Sequence, residues 1–237
     1  MFYAENAEVT VRMGGEKDTK IESKDPRKLT KAELRRKEIF EKTEQELLAK
    51  GYTRVDLTIS LLKANTLGVL ITLPFLALLT LGYLIVNYVL KIENIFNITI
   101  PDNISPIIFI VATIVLIVVH EGIHGLTWSF GAPNHLKDIE FGFVLEMLTP
   151  YATCKAPLKK SVYLLGSLMP MTLLGIIPGI ISIFFGDTLI LGIFLIQTLA
   201  GSGDFLISCM LLKHKTKGKD VVLLDHPYEC GLVVFEK

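Results

Sequence analysis

Four long apolar runs, residues 64–90, 107–130, 161–185 and 189–212, constrain this chain more than any other feature. Each exceeds the ~20 residues that a helix needs to cross a hydrocarbon core. Backbone N–H and C=O groups in lipid must be bonded internally, and a helix does this within a single segment. With 51% hydrophobic residues and a mean hydropathy of +0.50, the composition fits the same reading. The expected fold is mainly α: a polytopic membrane protein with four transmembrane helices, a cytosolic N-terminal helix and small β-hairpin elements. The formal net charge is zero, so no nucleic-acid partner is expected.

Three regions follow from the pattern: a cytosolic N-terminal region, 1–60, a four-span membrane domain, 61–212, and a cytosolic tail, 213–237. The start of the chain, to about Lys24, has little apolar content and reads as a loosely ordered tail. Thr30-Lys-Ala-Glu33 has the form of a capping box, and Leu34, Ile39, Phe40, Leu47 and Leu48 recur near helical spacing up to Gly51. One amphipathic helix over 31–50 is expected. Residues 139–147 alternate in polarity as a strand does, and Thr149-Pro150 then signals a turn. In the tail, 221–224 and 232–235 flank Asp225-His-Pro-Tyr as a hairpin would. Pro170 and Pro178, with Gly166, Gly175 and Gly179, either break up the third span or make it a kinked packing helix.

Basic residues set the orientation. They are abundant before the first span, in the 131–160 loop and in Lys213–Lys219, and nearly absent from 91–105 and from Gly186-Asp187. The positive-inside rule therefore predicts a multi-pass protein of the cell membrane with both termini cytosolic. The three cysteines, Cys154, Cys209 and Cys230, make an odd count without CxxC spacing. On or near the cytosolic side they are expected to stay reduced.

The second run carries the chemistry. His120-Glu121-Gly122-Ile123-His124 places ionisable groups at a depth where they are costly and usually functional. Positions i and i+4 share one helix face, so both imidazoles can reach one metal ion. Glu121 then stands where it can act as the base for a water activated at that metal. The bland alternative is two histidines bonded to neighbouring helices, with Glu121 as their counter-charge. That arrangement would bury three polar groups in a bilayer solely to satisfy one another.

A catalytic zinc takes three protein ligands and keeps one position open. Asp204, His135, Glu140, Glu146, Asp187 and His226 are the candidates for the third. If the second run leaves the membrane near Phe130, His124 lies about 9 Å deep and His120 about 15 Å, while Asp204 lies about 12 Å deep in the fourth run. Asp187 falls at the opposite face. Depth favours Asp204, with His135 next, and Gly201-Ser202-Gly203 lets helices approach closely there.

These residues resemble two known themes. Site-2 proteases carry H-E-x-x-H on one transmembrane helix and an Asp ligand on a later one, with zinc near the cytosolic face. His120, Glu121, His124 and Asp204 match those roles, although Asp204 is flanked by Gly203 and Phe205 where those enzymes have Asn-Pro before the Asp and Gly after it. The chain is also similar, over about 47–234, to the "putative zincin peptidase" family of small bacterial four-span membrane proteins. The shared features are Gly51-Tyr-x-x-Val-Asp-Leu-Thr, His120-Glu-Gly-Ile-His-Gly125, Gly203-Asp204 and Asp225-His-Pro.

The resemblance implies peptidase chemistry: Zn²⁺ on His120, His124 and Asp204, Glu121 as general base, and a membrane protein or peptide as substrate. The 139–147 strand could offer an edge to an extended peptide. The rival is a non-catalytic zinc-binding membrane protein with a structural, sensory or transport role, which has no use for a base beside its ligand.

Overall fold

The computed structural model describes residues 30–93, 100–144 and 149–237, and it is mainly helical. The expectations for the first 24 residues, for Glu146 and for the end of the 139–147 strand lie outside these residues. Helix α1 (Lys31–Ala49) opens on the predicted capping box: the Thr30 hydroxyl accepts from the Glu33 N–H, and Glu33 returns a bond to the Thr30 N–H. A cap of this kind stabilises a helix by about 1 kcal/mol.

Strand β1 (Thr53–Ile59) leads into α2 (Leu61–Leu84), which runs on through a wide turn at Ile85–Val89. Helix α3 (Ser105–Ser129) starts on Pro106, whose missing N–H costs nothing in a first turn. A hairpin follows, β2 (Ile139–Val144) and β3 (Thr149–Cys154), and then the short β4 (Leu158–Lys159). Thr149-Pro150 is therefore no turn: Pro150 stands opposite Phe143 as the second residue of a strand. Proline is tolerated there because the hairpin has two strands among the described residues and so presents outer edges.

The third apolar run is α4 (Lys160–Pro170), a π turn at Met171–Ile176, and α5 (Ile177–Ser182). It stays helical throughout, as the packing-helix reading has it and against the reading of a broken span. Pro170 withholds a bond only from the carbonyl four residues before it, that of Gly166, and the π turn begins after it. The fourth run is broken instead, into α6 (Thr188–Ala200) and α7 (Ser202–Lys213), bent by 41° at Gly201. Three helical segments, Leu61–Val89, Ser105–Ser129 and Lys160–Ser182, are long and apolar enough to cross a membrane, and the bent pair makes a fourth if taken as one span.

Helix α3 is inside out relative to a soluble helix. Ile107, Ile110, Ile114 and Val118 are exposed, while His120 and His124 are 4% and 3% exposed. An apolar outer face with a polar inner one is what lipid selects.

The tail forms β5 (Val221–Asp225) and β6 (Cys230–Glu236), the predicted hairpin. It belongs to a larger antiparallel sheet in the order β1-β6-β5-β4, so the segment before the first span pairs with the far end of the chain. One face of the sheet carries Val55, Leu57, Leu223, Leu232 and Val234 against Trp128, Tyr163 and Leu211 at the ends of α3, α4 and α7. The other face buries Leu224, Val233 and Phe235 under Phe40 and Leu47 of α1. Each large side chain so buried stabilises the layer by about 1.5–3 kcal/mol. The sheet is thus clamped between α1 and the end of the helical domain that carries the site.

Candidate metal centre

One turn of α3 separates His120 from His124, so their rings share the buried face, with centroids 4.9 Å apart. Asp204 arrives from α7. Gly201 ends α6 against Met171, where an added Cβ would lie 2.6 Å from the Met171 Cβ, and Gly68 of α2 packs on the Ser202 carbonyl. These small residues bring the start of α7 close, and Asp204 sits in its first turn, where the helix dipole favours a carboxylate.

His120 Nε2 and His124 Nε2 lie 3.4 and 3.3 Å from Asp204 Oδ2. One ligand atom from each of the three residues falls within 4.8 Å of the others, an arrangement able to hold a metal ion. The spacing fits zinc: donors about 2.0–2.1 Å from a tetrahedral ion stand about 3.3 Å from one another. As a hydrogen bond, 3.3–3.4 Å is poor. The donor set of two imidazoles and a carboxylate suits the same ion.

The ring of His124 is held from two sides. Its Nδ1 bonds the Gly166 carbonyl of α4 at 2.9 Å, which fixes Nδ1–H and leaves the Nε2 lone pair for a metal. Trp128, one turn on, stacks against it with centroids 5.0 Å apart. Trp128 in turn stacks on Tyr163 and donates its indole N–H to the Tyr163 carbonyl at 3.2 Å. Gly166 can only be glycine here, because any Cβ would overlap the Trp128 indole. His120 Nδ1 is buried without a partner among the described residues.

Glu121 points off this face, partly buried, with the backbone of Ala152 in β3 beside its carboxylate. An added Cβ at Gly122 or Gly203 would meet open space, and the Asp204 side chain is 35% exposed, so the centre is reachable.

The other third-ligand candidates lie elsewhere. His135, with a positive φ of 53°, bonds the Ser129 carbonyl, and Glu140 faces Thr153 across the hairpin. Asp187 caps the start of α6, accepting from the Leu189 and Ile190 N–H groups. His226 packs on Phe40 in the sheet. All three cysteines are free thiols. Burial pushes the Cys154 thiol up to about 12.

Tyr163 and Ala152 escaped the sequence reading, and Gly166 entered it only as a feature of the third span, because all three act largely through backbone atoms, which no side-chain pattern marks. Trp128 had a signal: it follows His124 at the same i+4 spacing that joins the two histidines.

A family model described as "putative zincin peptidase" matches residues 113–218, the stretch that holds His120, Glu121, His124 and Asp204. No curated protein and no solved structure matches the chain.

Proposed function

We propose that this chain is an intramembrane zinc metallopeptidase that hydrolyses peptide bonds of membrane-associated protein substrates near the cytosolic face. The observation that carries the reading is the convergence of His120, His124 and Asp204, with Glu121 beside them, among helices apolar enough to lie in a bilayer. A metallopeptidase is also what the family description names.

His120, His124 and Asp204 would hold the zinc. When bound, it supplies Lewis acidity for a water and for the scissile carbonyl. Glu121 takes the proton of the attacking water and delivers it to the leaving amide nitrogen. Gly166 and Trp128 hold the His124 ring so that Nε2 stays directed at Asp204.

The β2–β3 hairpin packs on α3 through Ile139 and Phe141, which close on Gly125. It has no third strand among the described residues, and this leaves an edge on which an extended peptide can be presented. In the bilayer the chain has four spans, the fourth broken at Gly201, with α1, the sheet and both termini in the cytosol.

The test is elemental analysis of the purified chain beside cleavage of a reconstituted transmembrane peptide. One zinc per chain is expected. Glu121→Gln should keep the metal and slow cleavage at least a hundredfold, since it removes only the proton acceptor. Full zinc occupancy in the His120→Ala/His124→Ala double variant would end the reading.

A further inference from the structure

Asp225 stands at the end of β5, outside the metal cluster, yet three donors converge on its carboxylate. The Tyr163 hydroxyl bonds Oδ1 at 2.7 Å, and the Thr153 hydroxyl and Cys154 N–H bond Oδ2 at 2.7 and 3.3 Å. Bonds of this kind to a carboxylate are about twice as strong as neutral ones. They reach two different elements. Tyr163 belongs to α4 and is 5% exposed; Thr153 and Cys154 belong to β3.

Each element then touches the centre. On α4, the carbonyl of Tyr163 holds the Trp128 indole, and the carbonyl of Gly166, one turn on, holds His124 Nδ1. On β3, which packs on α3, Ala152 is the residue before Thr153, and its backbone lies beside Glu121.

We infer that Asp225 is a positioning residue for this centre: it ties the Tyr163–Gly166 turn of α4 to the 152–154 end of β3, and so fixes the His124 imidazole and the Glu121 carboxylate relative to one another from the soluble sheet. The inference rests on the metallopeptidase reading. Asp225 itself bonds neither the metal ligands nor Glu121; it acts through the Tyr163 hydroxyl on one side and the Thr153 hydroxyl and Cys154 N–H on the other. The two arms are separable, because Tyr163→Phe removes the bond to α4 and Thr153→Val removes a bond to β3, each at nearly constant volume.

The experiment uses the full chain in detergent, titrated with zinc against a chromogenic chelator and with cobalt for its visible spectrum. Asp225→Asn and Tyr163→Phe should each weaken zinc binding about ten- to a hundredfold and shift the cobalt bands, the usual effect of losing an outer-shell partner. The double variant should bind no more than twofold more weakly than the weaker-binding single variant, because both cut one linkage. Thr153→Val should keep zinc affinity within twofold while lowering kcat, because it loosens the end of β3 that lies beside Glu121. Should Asp225→Asn fail to fold, Tyr163→Phe decides alone, since it removes a single hydroxyl.

Wild-type zinc affinity and an unchanged cobalt spectrum in Tyr163→Phe, even with a lower melting temperature, would reduce Asp225 to a structural role and overturn the inference. His124→Ala is measured alongside. If it too retains zinc, the metal centre itself is wrong; if it alone loses zinc, only the positioning role falls.

Discussion

Gly166→Ala tests the packing behind His124 directly. In an ordinary helix the change would stabilise by about 1 kcal/mol, since alanine loses less backbone entropy than glycine. Here the new methyl would overlap the pyrrole ring of Trp128 and stand 2.9 Å from its Cε2. The indole has nowhere to go. It is 4% exposed, stacked on His124 on one side and on Tyr163 on the other, with its N–H held by the Tyr163 carbonyl. Forcing a rigid ring out of such a site costs about 1–3 kcal/mol in strain. Breaking the indole hydrogen bond adds about 1 kcal/mol.

Against the helix gain, the net expectation is a loss of about 1–3 kcal/mol. The same displacement moves the acceptor of His124 Nδ1, so zinc affinity should fall with stability. Denaturant unfolding followed by the fluorescence of Trp128, the sole tryptophan, reads the first quantity, and chelator competition reads the second. A variant as stable as the wild type or more so, with unchanged zinc affinity, would refute the stacking argument.

Two further outcomes are expected. Burial against Phe40 and Tyr228 holds the His226 imidazole below its usual range, with Glu229 and Asp56 opposing the shift and Arg54 adding to it. The stability this lends is present above the unfolded value of about 6.5 and is lost as pH falls from there toward the folded pKa, so unfolding should come more easily at pH 5.5 than at 7.5. His226→Gln should flatten that dependence, and an unaltered slope would count against it. For topology, in a background with the three cysteines replaced by serine, Asn103→Cys should be labelled in intact cells and Lys217→Cys only after permeabilisation; labelling of Lys217→Cys from outside would reverse the orientation.

The convergence at the centre was legible for a definite reason. A helix rises a fixed 1.5 Å per residue, so depths counted from the ends of two apolar runs can be compared before any packing is known. That comparison put Asp204 between His120 and His124, and it survives the 41° bend because Asp204 lies after the break, on the same short helix as the end from which its depth was counted. The capping box at Thr30 and the tail hairpin were legible because both are local. Strand β1 was not. Its partners, Cys230 to Glu236, lie at the other end of the chain, and its alternation of Val55 and Leu57 with polar residues says only that one face is buried, without saying against what.

That long-range pairing changes how the centre should be understood. The helices bring the histidines and Asp204 together, but the elements that aim them come from outside the apolar runs or start at their edge: β3 beside Glu121, and the first turns of α4 behind His124. Both are held by one sheet, in which β1 comes from before the first run and β5 and β6 from after the last. A helical bundle alone would set which residues meet; the sheet, through Asp225 and the layer under α1, sets the angles at which they meet. Damage to the soluble layer should therefore reach the centre as misorientation, with the ligands present and the metal held more weakly.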